Sequence, residues 1–347
     1  LMAQYFTERL QKVFHMIFTS YNQEMAQEGL RQLELIVNNQ QSPEQTKHQA
    51  LRNDMTTSLE NEIDTKEDAL KIANNPESRE IADAYALLAR IYAGPRFTWE
   101  ESNFPENNMR TYQCLHDSIR RCSPIGTLQA LRINGTITPT VEKDMLISFN
   151  DAFHIVYDYA KQGDAFCQYI IGNVFFWRDD DRISLARDMI TPPRLSLAKR
   201  IQQSLQKGSI QERISTLQGT VSDETLQENA TTFAKEWFNK ALNNGLAMFQ
   251  GNLRNIYIDE GDFDNARRVA LTAAELGNPT MMLYTGLDCH EHGKFEDAFT
   301  WFTKGAALGQ AESTAELADY YYHFYDTKEL RRLIPYNPVK AIGLYRR

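Results

Sequence analysis

The sharpest candidate for chemistry in this chain is Cys289-His290-Glu291-His292, which gathers three potential metal ligands in four residues. A zinc hydrolase needs ligands converging at about 2.0 to 2.3 Å, usually from two elements. Here all of them sit in one stretch, at the end of a helix. Cys289 takes a packing position, so its thiol is expected to face the core, with His290 and His292 pointing away from it and from each other. Histidines at that end also suit the negative pole of the helix dipole. The cluster therefore reads as a helix end, and a metal-dependent helical hydrolase on Cys289, His290 and His292 is the alternative. Asp179-Asp180-Asp181 lacks the spaced oxygens and the glycine of a calcium loop and reads as a solvated turn. No phosphate-binding glycine loop, nucleophile elbow or HExxH helix is present. Acidic pairs such as Asp259-Glu260 are common, but nothing sets two of them across a pocket for acid–base work. No catalytic residue, metal or cofactor is assigned.

The aromatic run Tyr320-Tyr321-Tyr322-His323-Phe324-Tyr325 is a second candidate. Tyr321 occupies a packing slot, whereas Tyr322 and Tyr325 lie on other faces, where an exposed ring can act as a recognition anchor. Arg331-Arg332 and Arg346-Arg347 are too short to form a basic patch. The 347 residues carry 46 acidic and 37 basic side chains, a formal charge of −9, which disfavours a nucleic-acid binder. Hydrophobic residues make up 42% of the chain, enough for a packed core. Eight valines among these residues make a large sheet improbable. The four cysteines show no CxxC pair and read as small buried hydrophobes in a reducing compartment. The apolar stretch from Tyr169 to Trp177 is too short for a membrane span. The start, Leu1-Met2-Ala3-Gln4, carries no signal-peptide pattern, so a cytoplasmic location is favoured.

The elements that must position these residues are set by a repeat. Gly245, Gly277 and Gly309 are spaced by 32 residues, and Gly261 with Gly293, Phe263 with Phe295 and Ala266 with Ala298 keep that interval. Trp237, Val269 and Trp301 follow it too, and an alanine stands eleven residues before each marker glycine, as Ala152 does before Gly163. Between markers, apolar residues recur at three and four, the spacing of paired helices. Asp262 suits an N-cap, Pro279 a first helical turn, and Gly277 a left-handed C-cap. Small residues at Gly172, Gly286, Ala318 and Ala266/Ala270/Ala273/Ala274 let helices approach closely. A large residue at Gly286 is expected to push the stacked hairpins apart.

These residues resemble the Sel1-like repeats, relatives of the tetratricopeptide repeats. Asp164 to Phe175 is similar to a first helix, with Cys167, Ile171-Gly172 and Phe175 in the key slots. Glu296 to Gly309 is similar to a second helix, as is Lys235 to Ala241; Ala84…Tyr92 and Ser313…Tyr321 are weaker first helices. The likeness runs over roughly 80–347 and is strongest from 230 to 322. Arg254 stands in a glycine slot and Thr285 in a leucine slot. The resemblance implies an all-α, right-handed α-solenoid of helical hairpins with an N-terminal helical cap.

The expected organisation is an N-terminal helical region over 1–76, divergent repeats over 77–177, a helical insertion over 178–230, and Sel1-like repeats over 231–347. The last repeat opens a second helix at Pro338 and is expected to continue past Arg347. First helices of such a solenoid line a concave groove suited to a peptide or a partner helix. The repeat register places Asn252, Asn255, Tyr284, His290, Glu316, Asp319 and Tyr322 there. The expected function is a non-catalytic scaffold for a protein or peptide partner. The insertion is an alternative docking element.

Overall fold

The computed structural model describes residues 4–38, 65–133 and 142–346. Among them are nineteen α-helices and no strand. They pair as antiparallel hairpins: Glu80–Tyr92 with Asn108–Arg120, Pro124–Gln129 with Phe149–Lys161, Ala165–Phe176 with Asp223–Asn243, Gly251–Asp259 with Phe263–Glu275, Pro279–Glu291 with Phe295–Ala307, and Ala311–Tyr322 with Pro338–Tyr345. Each hairpin packs on the next, so the chain is an all-α solenoid.

The marker glycines show why the spacing is kept. Gly163, Gly245, Gly277 and Gly309 follow second helices with φ of 101°, 91°, 108° and 88°. After Glu275 the chain closes with Gly277 N–H donating to the Ala274 carbonyl (3.0 Å) and Asn278 N–H to Ala273 (3.0 Å). The same pair of bonds recurs after Gly163, Gly245 and Gly309. Such a closure satisfies orphan carbonyls and needs a left-handed residue, which glycine supplies without a Cβ clash. Asn278 then caps the next helix by accepting from Met281 N–H (3.1 Å), and its Nδ2 donates to the Ala247 carbonyl of the preceding hairpin (2.9 Å). Asp262 caps Phe263–Glu275 as the sequence predicts.

The N-terminal helices, Glu8–Phe14 with its π-helical extension His15–Thr19 and then Gln23–Val37, reach well past the first hairpin. Tyr5 N–H donates to Asp164 Oδ2 (2.9 Å) and its hydroxyl to Asp83 Oδ1 (3.1 Å). Phe6 and Phe14 pack on Phe166. Trp99 Nε1 donates to the Ile17 carbonyl (2.8 Å), and Tyr21 lies under Gly277. One leading segment therefore touches hairpins that begin at 80 and 165 and the turn between those that begin at 251 and 279, and its side chains join the main core. The polar stretch from Gln45 lies outside the described residues as far as 64; its end forms helix Lys66–Asn74.

Between Arg178 and Ala230 the chain is helical. Ser184–Ile190 buries Ala186 and Ile190 against the body, and the second helix of its hairpin already starts at Asp223. Leu197–Ser204 and Ile210–Gln218 pack on each other. Leu205 and Ile210 remain 74% and 77% exposed.

Candidate functional site

The first helices Glu80–Tyr92 and Ala165–Phe176, with the start of Gly251–Asp259, enclose an open cleft of about 520 Å³. Tyr169, Asn173 and Trp177 line it at intervals of four residues along one helical face, and Arg90, Gln129, Phe249 and Asn252 complete it. Phe249 adopts φ of 69°, a left-handed conformation that is a genuine outlier for a bulky side chain. That backbone lays its ring on Tyr169 with centroids 4.3 Å apart, and the Arg90 guanidinium sits 4.9 Å from the same ring. Trp177 ends its helix half-exposed, with Arg132 5.7 Å from its ring centre.

Asp179 closes one wall. It is buried, and burial pushes its carboxyl up to about 7 against the pull of Arg132, with which it forms an ion pair. Asp180 is buried too and is held below the usual carboxylate range, its burial outweighed by Arg178 (2.7 Å) and Arg187 (2.7 Å). The aspartate triplet is therefore not a solvated turn, because three arginines neutralise two carboxylates inside the fold. The sequence hid this, since Arg132, Arg178 and Arg187 stand up to 47 residues from their partners.

Of the positions the repeat register assigned to a groove, only Asn252 lines this cleft. Asn255 is exposed on the same helix. Tyr284 is half-buried beneath Arg254, whose guanidinium is 4.1 Å from the ring centre, so the residue in the glycine slot stacks where a glycine would leave room. His290, Glu316 and Asp319 are engaged internally. His290 Nδ1 bonds the Tyr320 hydroxyl (2.7 Å) with its ring 4.3 Å from Tyr325, Tyr325 donates to Glu316 (2.8 Å), and Tyr345 donates to Asp319. Tyr322 is 48% exposed beside Tyr336. Tyr320 is the fully buried ring of its run and Tyr321 only half-buried, because Tyr320 fills the space against Phe302 (5.5 Å) and Phe299.

The metal cluster does not assemble. His292 Nδ1 turns to the Asp288 carbonyl (2.8 Å) while His290 turns to Tyr320, and Cys289 sits half-buried with burial raising its thiol. Among the described residues no three His, Cys, Asp or Glu side chains converge on a point that could hold a metal ion. Cys114, Cys122 and Cys167 are free and buried. No described helix is long and apolar enough to cross a membrane.

No family model and no curated protein matches the sequence. Among solved structures, a Sel1 repeat protein from Oxalobacter formigenes aligns over 84% of this chain and 94% of its own, with 13% identity and a TM-score of 0.37. The chain is similar to a Sel1 repeat protein. The cleft lies among first helices, and it holds residues that the repeat register did not single out. Arg90, Arg132, Trp177 and Phe249 come from separate segments, and no interval of 32 links them.

Proposed function

We propose that the chain is a non-catalytic scaffold whose first helices hold a protein or peptide partner. The observation that carries this reading is the open cleft, where half-exposed Trp177 stands beside Asn173 and Asn252. Tryptophan and arginine at the centre of a patch, ringed by polar groups, supply most of the energy in protein interfaces. Asn255, Tyr284 and Tyr322 continue the partner-facing row toward the C-terminal hairpins in this reading, with His290, Glu316 and Asp319 behind it holding the rings of Tyr320, Tyr325 and Tyr345. The test is affinity capture followed by mass spectrometry. Trp177→Ala with Asn252→Ala, and separately Tyr284→Ala with Tyr322→Ala, should lose the partner while helical circular dichroism stays unchanged. Capture that survives both pairs overturns the proposal.

A second reading has its own observation. Leu195, Leu197, Ile201, Leu205, Ile210, Ile214 and Leu217 are all at least 38% exposed on or beside the paired helices of the insertion. Exposed apolar groups in such number mark interaction surfaces. In this reading the insertion docks the partner and the solenoid displays it. Removing 192–220 and repeating the capture separates the two.

A further inference from the structure

Arg90 is 3% exposed, and no carboxylate among the described residues pairs with it. Its Nη1 donates to Gln129 Oε1 (2.9 Å), its Nη2 reaches the Tyr169 hydroxyl (3.3 Å), and its Nε has no partner. Aromatic rings stand around the guanidinium, with Phe249 at 4.9 Å and Phe166 and Tyr169 at 5.5 Å. The same chain shows how its other deep arginine is satisfied, since Arg79 has Asp83 at 3.0 Å and two backbone carbonyls. A charge taken out of water is costly when unpaired. Ring faces return only part of that cost. Arg90 is thus a buried cation whose neutral partners leave its charge uncompensated.

That cation lines the cleft, and the other charges there do not cancel it. Arg132 is taken by Asp179. Arg96, exposed at the rim, has no carboxylate partner among the described residues. A chain of charge −9 therefore presents a locally positive, open recess. Asn173 Oδ1 is also buried without a partner at this wall. Trp177, Phe97 and Phe249 supply apolar surface next to the cations. A volume of about 520 Å³ falls in the range that seats one or two side chains rather than a folded surface.

Resting on the protein-binding reading above, we infer that this cleft selects a carboxylate-bearing segment of the partner, its anionic group drawn to Arg90 and Arg96 and its neighbouring apolar residue set against Trp177. A planar guanidinium matches a carboxylate in geometry and charge. The carboxylate has two possible sources, an acidic side chain or the end of a chain, and the test separates them.

The probe is an array of short synthetic peptides in which each Glu-containing sequence is paired with its Gln analogue. Each is made with a free and an amidated C-terminus, and phosphoserine versions are added. Full-length protein should retain the Glu members, or the free-acid members, about tenfold or more over their neutral analogues, the loss expected for one charge-assisted contact. Arg96→Glu, at an exposed position that leaves the core intact, should remove that preference. Arg90→Lys should weaken it and Arg90→Met abolish it, with melting curves recorded to separate binding from folding. Equal retention of acidic and neutral peptides overturns the inference while leaving the scaffold reading intact. A phosphoserine preference over Glu also overturns it. Retention of no peptide by wild-type protein overturns this inference, whereas the scaffold reading falls only on the capture experiment above. An acidic preference that persists in Arg96→Glu places the site elsewhere and overturns the assignment to this cleft.

Discussion

Gly286 has no side chain because the ring of Phe302 stands where one would be. A Cβ built on Gly286 would lie 2.6 Å from Phe302 Cε1 and 2.8 Å from Cδ1. Two hairpins earlier, a Cβ on Gly172 would lie 2.6 Å from the ring of Phe238. In both hairpins the first helix leaves a notch and the second helix fills it with a fully buried phenylalanine. Gly286→Ala is expected to cost about 1–3 kcal/mol, the usual range for overpacking a core. Thermal melting should show the loss, and Phe302→Leu in the same chain should return part of it. A Gly286→Ala protein as stable as wild type would show that the ring moves freely.

The buried pair Arg79–Asp83 gives a second expectation. Asp83 accepts from Arg79 Nε (3.0 Å), Ser123 Oγ (2.7 Å) and the Tyr5 hydroxyl (3.1 Å), so one carboxylate ties together three segments of chain. Removing one partner of such a pair costs about 3–5 kcal/mol because the other charge is left buried and alone. Arg79→Met should therefore destabilise more than Arg79→Met combined with Asp83→Leu. Urea titrations of the three proteins check the order.

Stability should also depend on pH in a defined direction. Burial pushes Asp83 up to about 6, against Arg79, and Asp179 up to about 7, against Arg132. In the unfolded chain both return to about 3.9. Between those values the folded protein holds more protons than the unfolded one, so stability falls as pH rises. The contribution is complete below about pH 4 and lost through pH 6–7. The urea midpoint should be higher at pH 5 than at pH 8, and Asp179→Asn should flatten that difference. A midpoint that rises from pH 5 to 8 in wild type, with no change in slope in Asp179→Asn, would contradict it.

Deleting residues through Tyr21 should uncover Phe166, Trp99 and the bed beneath Gly277 at once. Binding of a hydrophobic dye and a broadened, less cooperative melt are the expected outcome. A sharp melt after the deletion would mean that the hairpins hold together without this segment.

The hairpins were readable because their signals are local. A marker glycine every 32 residues reports a left-handed cap, and its neighbours form the closing bonds themselves. Asp262 and Pro279 report helix starts in the same way. The path of the N-terminal segment was not readable, because Tyr5 meets Asp164 and Tyr21 meets Gly277 across separations that no periodicity records. The site was legible only in part. Asn252 faces the cleft, but His290, Glu316 and Asp319 are spent on Tyr320, Tyr325 and Tyr345. Spacing identifies a helix face; it does not tell whether a later turn of the same chain covers it. No spacing marks Arg90, and only the lack of a counter-charge among the described residues distinguishes it.

The leading segment has a consequence for biosynthesis. Tyr5 leaves the ribosome 159 residues before its seat at Asp164, and Tyr21 waits for Gly277. A nascent chain therefore carries Phe6 and Phe14 without their partner ring until Phe166 has been made. Chaperone attendance at that stage, rather than the final energy of the finished molecule, would then set how much functional protein a cell obtains.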